Sequence, residues 1–163
     1  MPDRAAPLAL DSHIFLGRAA EQLSSLIEEQ SEFVFRKNGI VIPVKSCSLI
    51  TVLADLGSAT ASDIARTLKV SHQLVLQKLP KLLKLGLVEE GEDPQDGRKR
   101  TFSLTADGMI QLKRFQACCD LILGAYDELF AEVGDIFHLT SKAIAALGER
   151  TIDQRIAARA AVK

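Results

Sequence analysis

Basic side chains without a neighbouring acid are the densest chemistry in this sequence. Residues 64–88 hold Arg66, Lys69, Lys78, Lys81 and Lys84 and not one Asp or Glu. Such a run can neutralise phosphates, an interaction that weakens as salt rises. A solvated helix face has the same composition, so the run alone decides nothing. Ser71, His72, Gln73 and Gln77 lie inside it. Glutamine can pair with adenine N6 and N7 through both ends of its amide. A second basic group, Arg98, Lys99 and Arg100, follows Asp96 and Gly97. Arginine suits a narrow minor groove, where negative potential concentrates.

Catalytic chemistry finds no comparable support. The sequence has no phosphate-cradling glycine loop, no metal-ligand spacing and no nucleophile with an orienting base. The expectation is a chain that is not an enzyme and uses no cofactor or metal. Its three cysteines, Cys47, Cys118 and Cys119, include no CxxC pair. Cys47 falls at the start of a predicted helix, where a thiolate is favoured. The plainer reading is a small buried apolar residue. Cys119 falls on an apolar seam, which places it in a core.

The elements that must position these groups are nearly all helical. Asp11 or Ser12 can cap a helix running to about Lys37, with Leu16, Ala19, Ala20, Leu23, Ile27 and Val34 as its apolar stripe. Asn38-Gly39 ends it, and a short apolar connector with Pro43 follows. Ser46 caps a helix to Leu56, which Gly57-Ser58 stops. Thr60 caps a short helix to Leu68. After Lys69-Val70, Ser71 caps another, which ends at Gly86. Two short helices with a tight turn between them read as a helix-turn-helix.

The period then changes. Residues 87–90 and 99–104 read as two strands around the turn-rich segment Asp93-Pro94-Gln95-Asp96-Gly97-Arg98. A helix-turn-helix followed by a hairpin is a winged helix. Thr105 caps a long helix on which Leu112, Phe115, Cys119, Ile122, Tyr126, Leu129 and Val133 recur at steps of three and four, a heptad seam. Gly134 breaks it. Thr140 or Ser141 caps a last helix with Ile144 and Leu147, and the tail from Asp153 is helical or frayed.

The fold class is therefore mainly α with a small β-hairpin wing, a winged helix-turn-helix flanked by long N- and C-terminal helices. At 163 residues and 17.7 kDa, it fits one domain. Hydrophobic residues at 47% and charged residues at 25% exclude a wholly disordered chain. No stretch approaches the ~18 uninterrupted apolar residues of a membrane span, and residues 1–17 do not read as a signal peptide. A cytoplasmic location is the expectation. The net charge of −1 gives no global attraction to nucleic acid, so any such binding must be local.

Residues 60–108 resemble the winged helix-turn-helix of the MarR family of bacterial transcription regulators. The parts occur in order: Asp63-Ile64-Ala65, Val70-Ser71, Gly86-Leu87-Val88, Asp93-Pro94, Asp96-Gly97-Arg98-Lys99 and Leu104-Thr105. Ser71-His72, Val75 and Gln77 look most like a branch in which such a domain precedes an acetyltransferase. The resemblance implies an obligate homodimer whose helices at 11–37 and 106–152 interleave, with the winged region at 46–105. It implies double-stranded DNA as partner, a palindromic site, and repression relieved by a small-molecule effector or an oxidant. The family's ligand pocket lies between dimer helices and winged domain, which points to Ile40 and Val44.

Within that frame the second helix of the pair enters the major groove by its N-terminal end. Thr60, Ser71, His72, Gln73, Gln77, Lys78, Lys81, Arg98, Lys99 and Arg100 are the expected DNA-facing residues. Arg98 is assigned to the groove and Lys99 to phosphate. Asp96 is expected to be structural, pairing with an arginine to hold the wing. Residue 77 is often Arg in the family, so Gln77 leaves the base preference open. Pro80 is expected to kink or loosen the recognition helix, at a cost of ~3 kcal/mol in a regular helix. Leu74 and Leu76 are unusual on a DNA-facing helix: each is either a thymine-methyl contact or core. They support a second reading, a protein-interaction module docking through Leu74, Leu76 and Leu85. A third is a repressor switched by the Cys47 thiol.

Overall fold

The computed structural model describes residues 12–93 and 96–161. Asp11, Pro94 and Gln95, to which the sequence assigned a cap and part of the wing, lie outside them. Contacts divide the chain into two compact units, one ending at Cys118 and one starting at Cys119.

In the first unit, helix α1 spans Leu16–Lys37 after a short 3-10 turn at His13–Phe15. Ser12 precedes that turn and makes no side-chain capping bond. The predicted stripe of α1 is mostly exposed: Leu16, Leu23 and the neighbouring Leu26 and Phe33 all face outward. Only Phe35 is buried on this helix, meeting Phe115 edge-on with ring centres 5.7 Å apart. Gly39, at φ 65°, turns the chain into the connector. Ile40 and Ile42 then drop into the core.

Helix α2 spans Cys47–Leu56. A 3-10 turn at Val44–Ser46 starts it, and Ser46 makes no side-chain capping bond. Leu49, Ile50 and Leu53 of α2 are fully buried. They join Ile64 of α3 (Ala61–Leu68), Val75, Leu79 and Leu82 of α4 (His72–Lys84), and Leu87. This apolar centre orients the helix pair. Burying such side chains stabilises by ~1.5–3 kcal/mol each, before the entropy of ordering them.

The sheet has one more strand than the sequence suggested. Strands β1 (Ser58–Thr60), β2 (Val88–Glu92) and β3 (Arg100–Leu104) form an antiparallel sheet in the order β1-β3-β2. Ala59 and Glu90 both pair with Phe102, from opposite sides. Three residues are too few to show an alternation, which is why β1 gave no signal.

Helix α5 spans Ala106–Val133 and contains the boundary between the units. The Thr105 hydroxyl donates to the Gly86 carbonyl at 2.6 Å and accepts from the Gly108 N–H at 3.0 Å. The Thr105 N–H donates to the Leu87 carbonyl at 3.1 Å. The start of α5 is thereby clamped to the segment joining α4 and β2. Along the predicted seam, Leu112 is buried, Phe115 through Leu129 are half-buried and Val133 is exposed. Cys118, not the seam residue Cys119, is the buried cysteine.

In the second unit, α6 spans Ile136–Glu149 and α7 spans Ile152–Ala160. Helix α6 starts earlier than expected. Asp135 caps it by accepting from the His138 N–H at 2.8 Å, and Thr140 and Ser141 lie within the helix. Helix α7 opens with a reciprocal Thr151–Gln154 capping box, so this part of the tail is helical. None of the described residues of this unit is buried.

Candidate nucleic-acid interface

Local hydrogen bonds fix the entry of each helix in the pair. The Thr60 hydroxyl accepts from the Asp63 N–H at 3.2 Å, and Asp63 Oδ2 accepts from the Thr60 N–H at 3.2 Å and from its hydroxyl at 2.6 Å. This capping box satisfies donors at the start of α3 that would otherwise lack partners. Arg66 adds an ion pair to Asp63 at 3.1 Å. The bonds from Thr60, with help from the Arg66 charge, hold the Asp63 carboxyl below its ordinary value. Thr60, expected on the DNA, is thus half-buried and occupied in capping.

The turn between the helices passes through Lys69 at φ 55°, in the left-handed region. Ser71 then caps α4, accepting from the Leu74 N–H at 3.2 Å. Val75, Leu79 and Leu82 hold one face of α4 in the core. At 3.6 residues per turn, this sets Gln73 and Gln77 on the opposite face, where both are exposed. His72 and Lys81 are exposed as well. Leu74, Leu76 and Leu85 are 38%, 46% and 41% exposed, so none of the three is core.

Helix α4 continues through Pro80 to Lys84. Pro80 sits on the exposed side, between the buried anchors Leu79 and Leu82. Tertiary packing on both sides of the proline offsets the loss of its backbone donor.

Lys78 differs from the expectation. It is half-buried, and its ammonium donates to the Lys45 carbonyl rather than standing free beside Gln77. Its position one residue after Gln77 rotates it by roughly 100° from the glutamine face.

The wing carries its cations in three different states. Arg100 pairs with Glu90 across the hairpin at 3.3 Å, and Lys99 pairs with Asp96 at 3.6 Å. Among the described residues the Arg98 guanidinium carries no ion pair; its backbone N–H donates to Asp96 Oδ1 at 3.2 Å. The charged partner of Asp96 is Lys99, where the sequence suggested an arginine. The reason is the tight turn, which closes with the Lys99 N–H on the Asp96 carbonyl at 2.8 Å.

Between α3, α4 and the wing lies an open cleft of about 510 Å³. Asp63, Arg66, His72, Leu76, Lys99 and Arg100 are among its lining residues. The structure therefore brings Thr60, His72, Lys99 and Arg100 together around one depression, while Gln73 and Gln77 face away from the core beside it. Arg66, Asp93 and Phe102 also line the cleft. Sequence reasoning did not include them in the site, although Arg66 stands three residues after Asp63, at helix-neighbour spacing. Among the described residues, no group of three or more His, Cys, Asp or Glu is placed to hold a metal ion.

A family model described as MarR family matches residues 42–99. The matched segment contains α2, β1, the helix pair, β2 and the wing turn, and it stops just before β3. Solved structures share the fold over more of the chain. A cysteine-to-serine mutant of MarR from E. coli, complexed with operator DNA, is 18% identical, with TM-score 0.63, covering 84% of this chain and 99% of its own. The PcaV transcriptional regulator from Streptomyces coelicolor, in complex with its natural ligand, is 17% identical, with TM-score 0.63, covering 88% and 99%. A MepR mutant from S. aureus, bound to an oligodeoxyribonucleotide, is 18% identical, with TM-score 0.50, covering 83% and 98%. No curated protein matches the sequence. No helix among the described residues is long and apolar enough to cross a membrane.

Proposed function

We propose that this chain is a cytoplasmic DNA-binding transcriptional regulator that acts as a homodimeric repressor and is released by a small-molecule effector. The observation that carries it is the exposed Gln73–Gln77 face of α4, opposite the core anchors and flanked by wing cations, within the segment that the MarR-family model matches. Gln73 and Gln77 read base edges in the major groove. His72 and Lys81 lie beside them, and Arg98 enters the adjacent minor groove. Lys99 and Arg100 reach phosphate by exchanging their exposed carboxylate partners for DNA, since such pairs contribute little. Ser71 both caps α4 and offers its helix N-terminus to a phosphate.

Dimerisation explains the outward apolar side chains. Leu16, Leu23, Leu26 and Phe33 of α1 are exposed in the single chain, as are Phe137, Leu139, Ile144 and Leu147 of α6. A second copy of the chain is the occupant that covers them. Two copies set two recognition helices against half-sites ~10 base pairs apart. An effector acts by binding the two spacings of those helices with different affinity. Catalysis has no part in this reading.

The exposed Leu74, Leu76 and Leu85 favour one second reading, a winged helix that docks on a protein partner. Selection of bound genomic fragments, followed by a salt titration on the best one, separates the two. A regulator gives a palindromic site, affinity far above random DNA and a steep salt slope. Weak, sequence-blind binding by a folded dimer would overturn the regulator reading. A Cys47 switch predicts that peroxide releases DNA and that Cys47→Ser abolishes the release; a wild-type response in the variant excludes it.

A further inference from the structure

The Lys78 ammonium donates to the backbone carbonyl of Lys45, which lies 33 residues earlier in the turn that starts α2. The Lys45 ammonium in turn pairs with the Glu28 carboxylate on α1. The Glu28 side chain is 31% exposed and that of Lys45 is 53% exposed, so the pair lies at the surface with one member partly sheltered. One residue, Lys45, thus holds α1 through its side chain and α4 through its main chain. The inward side chains of α4 pack within the winged core, while Lys78 reaches the turn before α2 by a hydrogen bond.

We propose that Glu28, Lys45 and Lys78 form a positioning tie that fixes the recognition helix relative to α1. Lys78 then acts on DNA binding without touching DNA. This rests on the regulator reading given above. In that reading α1 belongs to the dimer face and α4 to the groove. The tie therefore sets how far the two recognition helices stand apart. Electrostatics alone gives the opposite sign at one position, because Glu28 is an anion and its removal should favour a polyanionic partner.

The test compares wild type, Glu28→Gln, Lys78→Met and Lys99→Ala on one selected operator fragment, by fluorescence anisotropy over a range of salt. Glu28→Gln removes a negative charge, yet the tie predicts weaker binding, by about threefold to tenfold. Lys78→Met weakens binding to a similar extent and leaves the salt slope at the wild-type value. Loss of a phosphate contact instead lowers the slope by about 0.9, as expected for Lys99→Ala. In the free protein, both tie variants should exchange the amide hydrogens of α4 faster than wild type.

Glu28→Gln binding as tightly as wild type, or more tightly, overturns the proposal. So does a slope reduction of about 0.9 in Lys78→Met, which would make Lys78 a phosphate contact. Unchanged α4 exchange in both variants overturns it as well. If wild type itself binds no DNA specifically, the regulator reading fails, and the exchange measurement still decides whether the tie exists.

Discussion

Replacing Gly108 by alanine tests the clamp at the base of the wing. Gly108 lies in the first turn of α5, where its N–H meets the Thr105 hydroxyl. A methyl group there would sit 2.1 Å from the Leu87 carbonyl oxygen and 3.1 Å from its carbon. Reaching ordinary contact needs a displacement of roughly 1.3 Å. The obstacle is backbone, and Leu87 is only 1% exposed, so it has no open space to move into. Its carbonyl also accepts from the Thr105 N–H, a bond that the displacement would break. Overpacking costs about 1–3 kcal/mol and the lost bond about 1 kcal/mol. Alanine's better helix propensity returns up to ~1 kcal/mol. The expected result is a net destabilisation of about 1–3 kcal/mol. Urea unfolding followed by circular dichroism, at fixed protein concentration, measures it. The control is Gly124→Ala in the same helix, where the added methyl meets nothing within 4 Å. That variant should be unchanged or more stable by up to ~1 kcal/mol. If Gly108→Ala proves as stable as Gly124→Ala, helix propensity alone governs the site and the clamp has no energetic weight.

Acid titration should expose the α3 capping box. The Asp63 carboxyl is held below its ordinary value by Thr60 and Arg66, so its stabilisation is fully present above about pH 4 and is lost as pH falls through the depressed folded value. Wild type should accordingly exceed Asp63→Ala in urea midpoint at neutral pH, with the gap closing below about pH 4; a pH-independent gap would remove the charge from the argument. Lys69→Gly should raise stability by up to ~1 kcal/mol, because Lys69 occupies the left-handed region at φ 55°. A lower urea midpoint would show that the lysine side chain outweighs its backbone strain. Glu90→Gln should tighten binding to random-sequence DNA by up to about tenfold and steepen its salt slope, since it releases Arg100 and removes an anion. Unchanged affinity would take Arg100 out of the phosphate-facing set.

The parts of this structure that the sequence made legible are those governed by neighbours in the chain. Thr60 with Asp63 three residues on, and Ser71 before an apolar period, specify helix starts through bonds closed within one turn. Gly57 marks the end of α2 because its φ of 73° disfavours any side chain. The wing followed from a change of period, from helical to alternating. What stayed hidden depended on groups distant in sequence. Strand β1 exists because β3, some forty residues later, lies alongside it. Lys78 looked like a phosphate ligand beside Gln77, and only the fold brings the Lys45 carbonyl to it. The seam placed Cys119 inward, yet Cys118 is the buried one. A period of three and four tolerates a one-residue error when the groups it packs against are unknown. In the interface, the glutamine face was readable from the core face opposite it. The states of the wing cations were not, because the Arg100–Glu90 and Lys99–Asp96 pairs depend on the register and closure of the hairpin.

The placement of β3 between β1 and β2 has a mechanical consequence. Thr60 ends β1, pairs with Thr101 of β3 and caps α3. A push on the wing along β3 therefore reaches the first turn of the helix pair through main-chain atoms. Substitutions at exposed positions such as Glu90, Lys99 or Arg100 can retune charge and shape at the cleft while this lever stays connected. Proline is the exception, because it alone deletes a backbone donor. Surface chemistry is in this way carried by the side chains of the hairpin and force transmission by its main chain.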